Sequence, residues 1–221
     1  HGSAKAVYPK LPYDPVADFT PVSLMYKNRL VLAANSAFPA NSLAELIAYA
    51  KANPGKVSYG TPGEGTPHLL AGETLKLRAG IDIVHVPYKG GGQVMSDLVA
   101  GHIQLAVASL STAADMARNG RIKILASTDN QRIDSLPGVP TLSEVYPGVD
   151  IVGWGGLFGP KKLPDPIVKK LNLALQTVLS SNEIKTKLEA VGMEPGASTP
   201  EELMASVKGE MERWRVLRVA Q

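Results

Sequence analysis

The chain is predicted to be an α/β protein built around a largely parallel sheet, and three observations predict it. From Val57 to Ala126 an apolar strand-like run, a run at helical spacing and a glycine stop recur in that order. Good helix caps stand at the starts of the periodic runs. The 21 Gly and 17 Pro in 221 residues are spread as punctuation between elements, with no low-complexity tract.

Each element has its own local cause. The Pro- and Asp-rich stretch from Tyr8 to Asp18 reads as loop, because each proline holds itself and the residue before it in extended or turn geometry. Two apolar runs, FTPVSLMY and RLVLAAN, follow as buried strands. Ser42 and Glu45 form a capping box for a helix carrying Leu43, Leu46, Ile47 and Ala50, which Asn53-Pro54-Gly55 stops. Val57 to Gly60 is a short strand entering the turn Thr61 to Gly65; Thr66 then caps a helix with Pro67 at its first position and Gly80 behind it.

Ile81 to Val86 is the next strand, Tyr88 to Gly92 a glycine loop, and the helix after it ends at Gly101. Strand Ile103 to Ala108, helix Ser111 to Asn119 and strand Ile122 to Ala126 continue the alternation. A second capping box, Thr141 and Glu144, precedes a glycine-laced strand around Trp154. Helices occupy the remainder, one with Ile167, Leu171, Leu175 and Val178, one beginning near Ser181, and a last one with Leu203, Val207, Met211 and Trp214 on one face.

Composition narrows the functional classes. The 23 basic and 20 acidic residues are intermixed, with no basic run, so nucleic acid is not an expected partner. With no cysteine, disulfides, thiolate metal sites and cysteine nucleophiles are excluded. No continuous apolar stretch reaches bilayer-spanning length, and no signal-like segment stands at the start. His1, Gly2 and Ser3 read as the remnant of an expression tag.

Three segments carry candidate chemistry. Gly60 to His68 joins a strand end to a helix start, where outward amides form a seat for an anion and the Thr66 hydroxyl is in reach of it; taken alone, the segment is an ordinary capped turn. Tyr88 to Gly92 places the phenol of Tyr88 and the ammonium of Lys89 at a glycine turn, which lacks the pattern of a phosphate or dinucleotide loop and reads equally as a connector or a ligand contact. Ala108 to Thr112 brings hydroxyls to another strand's carboxyl end, where open α/β sheets take ligands, although helix N-capping accounts for one of them without a site. Trp154 is in position to wall an apolar pocket, although a tryptophan in a core is the commoner event. The histidines show no metal-ligand spacing, and no Gly-x-Ser-x-Gly elbow occurs.

Taken together, YPKLPYDPVADFTPVSL (Tyr8 to Leu24), PGKVSYGTPGEGTPHLLAGE (Pro54 to Glu73) and IDIVHVPYKGGGQVMSDLVAGHIQ (Ile81 to Gln104) resemble the Bug-type receptors, the extracytoplasmic solute receptors of tripartite tricarboxylate transporters. LPGVPTLSE, GWGGLFGPKKLP and STPEELMASVKGEMERW are similar too, so the resemblance covers nearly the whole chain after the tag.

The resemblance implies a periplasmic-binding-protein fold of the type II kind, with two lobes and hinge strands. It places residues 4–35 and 127–221 in a first lobe, incomplete at its N-terminal part, and residues 36–126 in the second. It further implies a periplasmic protein that captures a small organic acid without a cofactor, by hinge closure, for a membrane permease. By position, Gly63, Gly65, Thr66 and His68 fall on the family's ligand loop, and Ser109 and Leu110 on the loop from the other strand. The family often has Asp-Asn where this chain has Ala108-Ser109, which removes a counter-charge for an amino-bearing ligand. An incomplete first lobe would expose sheet edges, from which weak affinity or self-association is expected. A ligand sensor with a signalling partner fits the same resemblance; an enzyme would need a nucleophile and base pair that the sequence does not assemble.

Overall fold

Short apolar runs become strands and capped periodic runs become helices, in the order β1 (Phe19–Asn28), β2 (Leu30–Asn35), α1 (Leu43–Ala52), β3 (Ser58–Thr61), α2 (Pro67–Ala79), β4 (Val84–Pro87), α3 (Gly91–Ala100), β5 (Leu105–Ser109), α4 (Leu110–Arg118), β6 (Ile122–Ser127), α5 (Leu142–Val145), β7 (Gly153–Pro160), α6 (Asp165–Ser180), α7 (Asn182–Ala190), β8 (Met193–Pro195) and α8 (Pro200–Ala220). This computed structural model describes residues 2–3, 10–190 and 193–220, with 217–220 as backbone alone. Tyr8 and Pro9 of the expected opening loop lie outside the described residues; Tyr13 to Asp18 is turn and bend, as expected.

The chain divides into two units. One is Arg29–Gly153; the other joins His1–Asn28 to Trp154–Gln221. Strand β2 and residues 127–153 therefore pack with residues 36–126.

The Arg29–Gly153 unit is built on a five-stranded sheet in the order β4-β3-β5-β2-β6. Strands β3, β4 and β5 are mutually parallel, as the alternating elements predict. The expectation of a largely parallel sheet needs one correction: β2 runs antiparallel to both neighbours, β5 and β6. The cause is connectivity, since β2 is not preceded by a crossover helix in this unit and enters the sheet from the opposite edge.

The two faces of this sheet are covered by different helices. Tyr59 on β3 turns toward α2, where Gly72 leaves room for its ring, while the next residue, Gly60, turns toward Val94 of α3 and Ile103. Val31, Ala33, Ala106 and Ala108 form one cluster with Val94, Met95 and Leu98 of α3 and Ala113 of α4. Each large aliphatic side chain buried there contributes about 1.5–3 kcal/mol. Thus α2 lies on one face and α3 and α4 on the other.

The caps follow the predicted chemistry with one difference. Glu144 N–H donates to Thr141 Oγ1 and Glu144 Oε1 accepts from Thr141 N–H, completing the second box. In the first, Ser42 Oγ accepts from Glu45 N–H, but the Glu45 carboxylate takes Asn41 N–H instead of that of Ser42.

In the other unit, β1 is the middle strand of β7-β1-β8, paired antiparallel with β8. Asn172 on α6 donates to Val22 O (2.7 Å) and Ser198 O (2.8 Å), tying that helix to β1 and to the segment before α8. On α8, Leu203, Val207 and Trp214 are buried and Met211 half-buried, as their spacing predicts. On α6 the buried residues are Val168 and Leu179, whereas Ile167, Leu171 and Val178 are exposed. The two stripes lie about 100° apart on the helix, one residue's rotation, and spacing alone does not choose between them.

Candidate functional site

Parallel strands β3, β4 and β5 stand side by side, so their carboxyl ends share one edge of the sheet, and a helix begins just beyond each: α2 after Thr66, α3 after Gly90, α4 after Ser109. The chain leaves β3 toward one face and β5 toward the other, so the loops of these two neighbours part at a switch point, the position where open α/β sheets form ligand crevices. His68 spans it. Its Nε2 lies 3.3 Å from Ser109 Oγ.

Left-handed glycines set the first loop. Gly63 (φ +117°) and Gly65 (φ +69°) adopt backbone that L side chains rarely take, and a Cβ on Gly63 would stand 3.0 Å from Tyr88 O. Gly63 N–H donates to Thr61 Oγ1 (3.3 Å), and Thr61 Oγ1 in turn lies 2.7 Å from His85 Nε2. Thr66 Oγ1 caps Leu69 N–H (3.3 Å) and donates its own proton to Gly63 O (2.8 Å). That hydroxyl therefore shapes the loop.

Burial keeps His68 neutral, its pKa lowered to about 4, and its Nδ1 is buried with no hydrogen-bond partner. With the ring proton on Nε2, Nδ1 is left as an unpaired acceptor, a smaller penalty than an unpaired donor, and Ser109 Oγ accepts the ring N–H; the other tautomer would reverse both roles. The site is therefore polar without being charged at His68. Charge enters at the same edge through Arg29, just ahead of β2, whose Nε lies 3.7 Å from Asp129 Oδ2.

A further feature separates these three helix starts from the rest. Among the described helices α1, α5, α6, α7 and α8 each carry an acidic residue in the first turn, namely Glu45, Glu144, Asp165, Glu183 and the pair Glu201 and Glu202. None stands in the first turn of α2, α3 or α4. The positive ends of three adjacent helices are thus left without the carboxylate that ordinarily complements them.

A model of the tripartite tricarboxylate transporter family receptor, TctC, matches residues 3–220. The chain belongs to this receptor family. A UPF0065 protein from the tcbD-tcbE intergenic region of Pseudomonas sp. strain P51 is 34% identical over 216 residues, 96% of this chain and 64% of that protein. BugT of Bordetella pertussis is 30% identical over 210 residues, 95% of this chain and 64% of that protein. The chain thus spans a little under two thirds of the length of these relatives.

Solved TctC-type structures agree with the fold. The R. palustris protein Rpa4515, determined with adipate, superposes with TM-score 0.85 at 32% identity, covering 97% of this chain and 72% of that one. MatC from Rhodopseudomonas palustris, with bound malate, gives 0.84 at 31% identity over 98% and 75%. The periplasmic binding protein BugD gives 0.86 at 30% identity over 99% and 75%. The fold is that of periplasmic binding proteins of the TctC type, and the family is one of solute-binding receptors.

Of the residues singled out from the sequence, Gly63, Gly65, Thr66, His68, Tyr88, Lys89, Ser109 and Leu110 all lie along this one edge. Lys89 is exposed, and Leu110 N–H donates to Arg29 O (2.8 Å), closing the edge between β5 and β2. Trp154 belongs to the other unit, half-buried on β7. Sequence reasoning did not single out Arg29. For Arg29 no local signal existed, because its place depends on β2 running against its neighbours.

Proposed function

We propose that this protein is a periplasmic receptor that captures a small organic acid at the carboxyl edge of the β4-β3-β5 strands and passes it to a membrane permease of the tripartite tricarboxylate type. The ligand is a mono- or dicarboxylate, or an amino acid or related acid. The observation that carries this reading is the set of three adjacent helix starts without an acidic residue, joined at the switch point by His68 and Ser109. Backbone amides there take the place of water around a carboxylate, and the neutral His68 adds direction without net charge. The relatives solved with adipate and malate support an acid as ligand.

Calorimetric titration with malate and adipate, against their dimethyl esters, tests it. The acids are expected to bind and the esters not, because esterification removes the charge that the helix ends attract. Equal binding of acid and ester, or none of either, overturns the reading.

A further inference from the structure

Tyr88 was singled out as a ligand contact, but its side chain faces the protein. Its ring packs on the cluster that holds Val94 and Ile103, and Gly60 makes room for it, since a Cβ there would stand 3.1 Å from Tyr88 Cε2. Its hydroxyl donates to Asp97 Oδ2 on α3 at 2.6 Å. Its backbone is fixed as well, N–H donating to Thr61 O (3.0 Å) and the carbonyl lying against Gly63. The residues just beyond are the opposite. Lys89 is exposed, and a Cβ added to Gly90, Gly91 or Gly92 would meet nothing within 4 Å. Gly90 caps α3 with no side-chain hydrogen bond. A rigid root therefore carries an open segment that leads into one of the three acid-free helix starts.

We propose that Asp97 is a positioning residue for the ligand site, acting through the Tyr88 hydroxyl to hold residues 89–92 and the start of α3 in one geometry. This rests on the functional reading above, which places that loop at the ligand. Asp97 stays an acceptor across the working pH range, since the hydrogen bond from Tyr88, with a smaller one from His102, holds its carboxyl below the usual range. Tyr88 stays a donor, its pKa raised to about 12 by desolvation first and then by Asp97. Glycines supply no side chains to order the loop, so the restraint must come from its root.

The test compares wild type with Tyr88→Phe, Asp97→Leu, Asp97→Asn, the Tyr88→Phe/Asp97→Leu double variant and His102→Ala. Affinity is read by calorimetry with malate and adipate, and loop order by amide hydrogen exchange at Gly90, Gly91 and Gly92. Tyr88→Phe and Asp97→Leu should each weaken binding on the order of tenfold and speed exchange, with the double variant no worse than either. Asp97→Asn keeps an acceptor and should rescue both readouts, while His102→Ala should leave them unchanged.

Additive losses, or exchange at these glycines unaltered by Tyr88→Phe and Asp97→Leu, overturn the proposal. So does tighter binding in both Asp97 variants, which would mean that only the charge of Asp97 matters. If wild type binds neither acid, the functional reading falls, and exchange alone decides whether Asp97 orders the loop.

Discussion

His68 Nε2 and Ser109 Oγ, 3.3 Å apart, join the loops that follow β3 and β5 across the one place where the chain parts toward opposite faces of the sheet. Forty-one residues separate the two in sequence. The contact therefore reports the assembled sheet edge, and it links the helix starts of α2 and α4 through neutral groups.

Removing either partner should weaken acid binding more than it weakens the fold. Ser109→Ala is expected to lower malate affinity on the order of tenfold, the effect of one lost hydrogen bond to a charged group, with a smaller change in urea midpoint. Isothermal titration alongside urea unfolding measures both. A large stability loss with unchanged affinity would assign the pair to the core.

Stability should fall on acidification through His68. In the fold its pKa is lowered to about 4, whereas the unfolded chain takes up the proton near 6.5. The unfolded state therefore binds more protons as pH drops below 6.5, and the stability present above that value is lost progressively down to about 4. Between pH 7.5 and pH 5, above the carboxylate range, the loss from this residue is about 2 kcal/mol. Urea unfolding at both values should show a smaller drop in His68→Asn than in wild type.

An acid placed at an acid-free helix start should move stability and binding in opposite directions. Gln93 is exposed in the first turn of α3, so Gln93→Glu complements the helix dipole and should stabilise the fold by about 0.3–1 kcal/mol. The same carboxylate competes with the ligand, and malate affinity should fall severalfold. Thermal unfolding with and without malate separates the two effects; tighter binding would contradict an anion site there.

Gly72 faces the ring of Tyr59, and a Cβ would lie 2.2 Å from Tyr59 Cε2. Tyr59 is fully buried and its hydroxyl donates to Glu73, so the ring has no room to withdraw. Gly72→Ala should cost about 1–3 kcal/mol, despite the usual gain of alanine over glycine within a helix. Denaturant unfolding is the measurement, and an unchanged or raised midpoint would show that the ring gives way.

Much of this architecture could be read from local patterns. Pro67 after Thr66, the glycine stops Gly80 and Gly101, and the strand-helix alternation specified the elements and their parallel core, because each depends on a few neighbouring residues. The absence of acids from three helix starts was also written in the sequence, but it acquires meaning only when the strand order makes those starts adjacent. The direction of β2, the place of Arg29 and the inward turn of Tyr88 depend on contacts with distant residues, Ser109, Asp129 and Gly60 among them. The inward stripe of α6 was ambiguous for a different reason, since the outward stripe is the more apolar and the inward one carries Asn172, whose fit depends on the packing partner.

Strand β2 has a consequence for how the molecule is made. Its partners on both sides, β5 and β6, lie downstream by about 70 residues or more, so it is synthesised early and can be paired only late. Until then the run LVLAAN, apolar up to Asn35, lacks both of its sheet partners. Completion of β6 should therefore act as a commitment step in biogenesis, before which a chaperone has a defined six-residue handle and after which it has none.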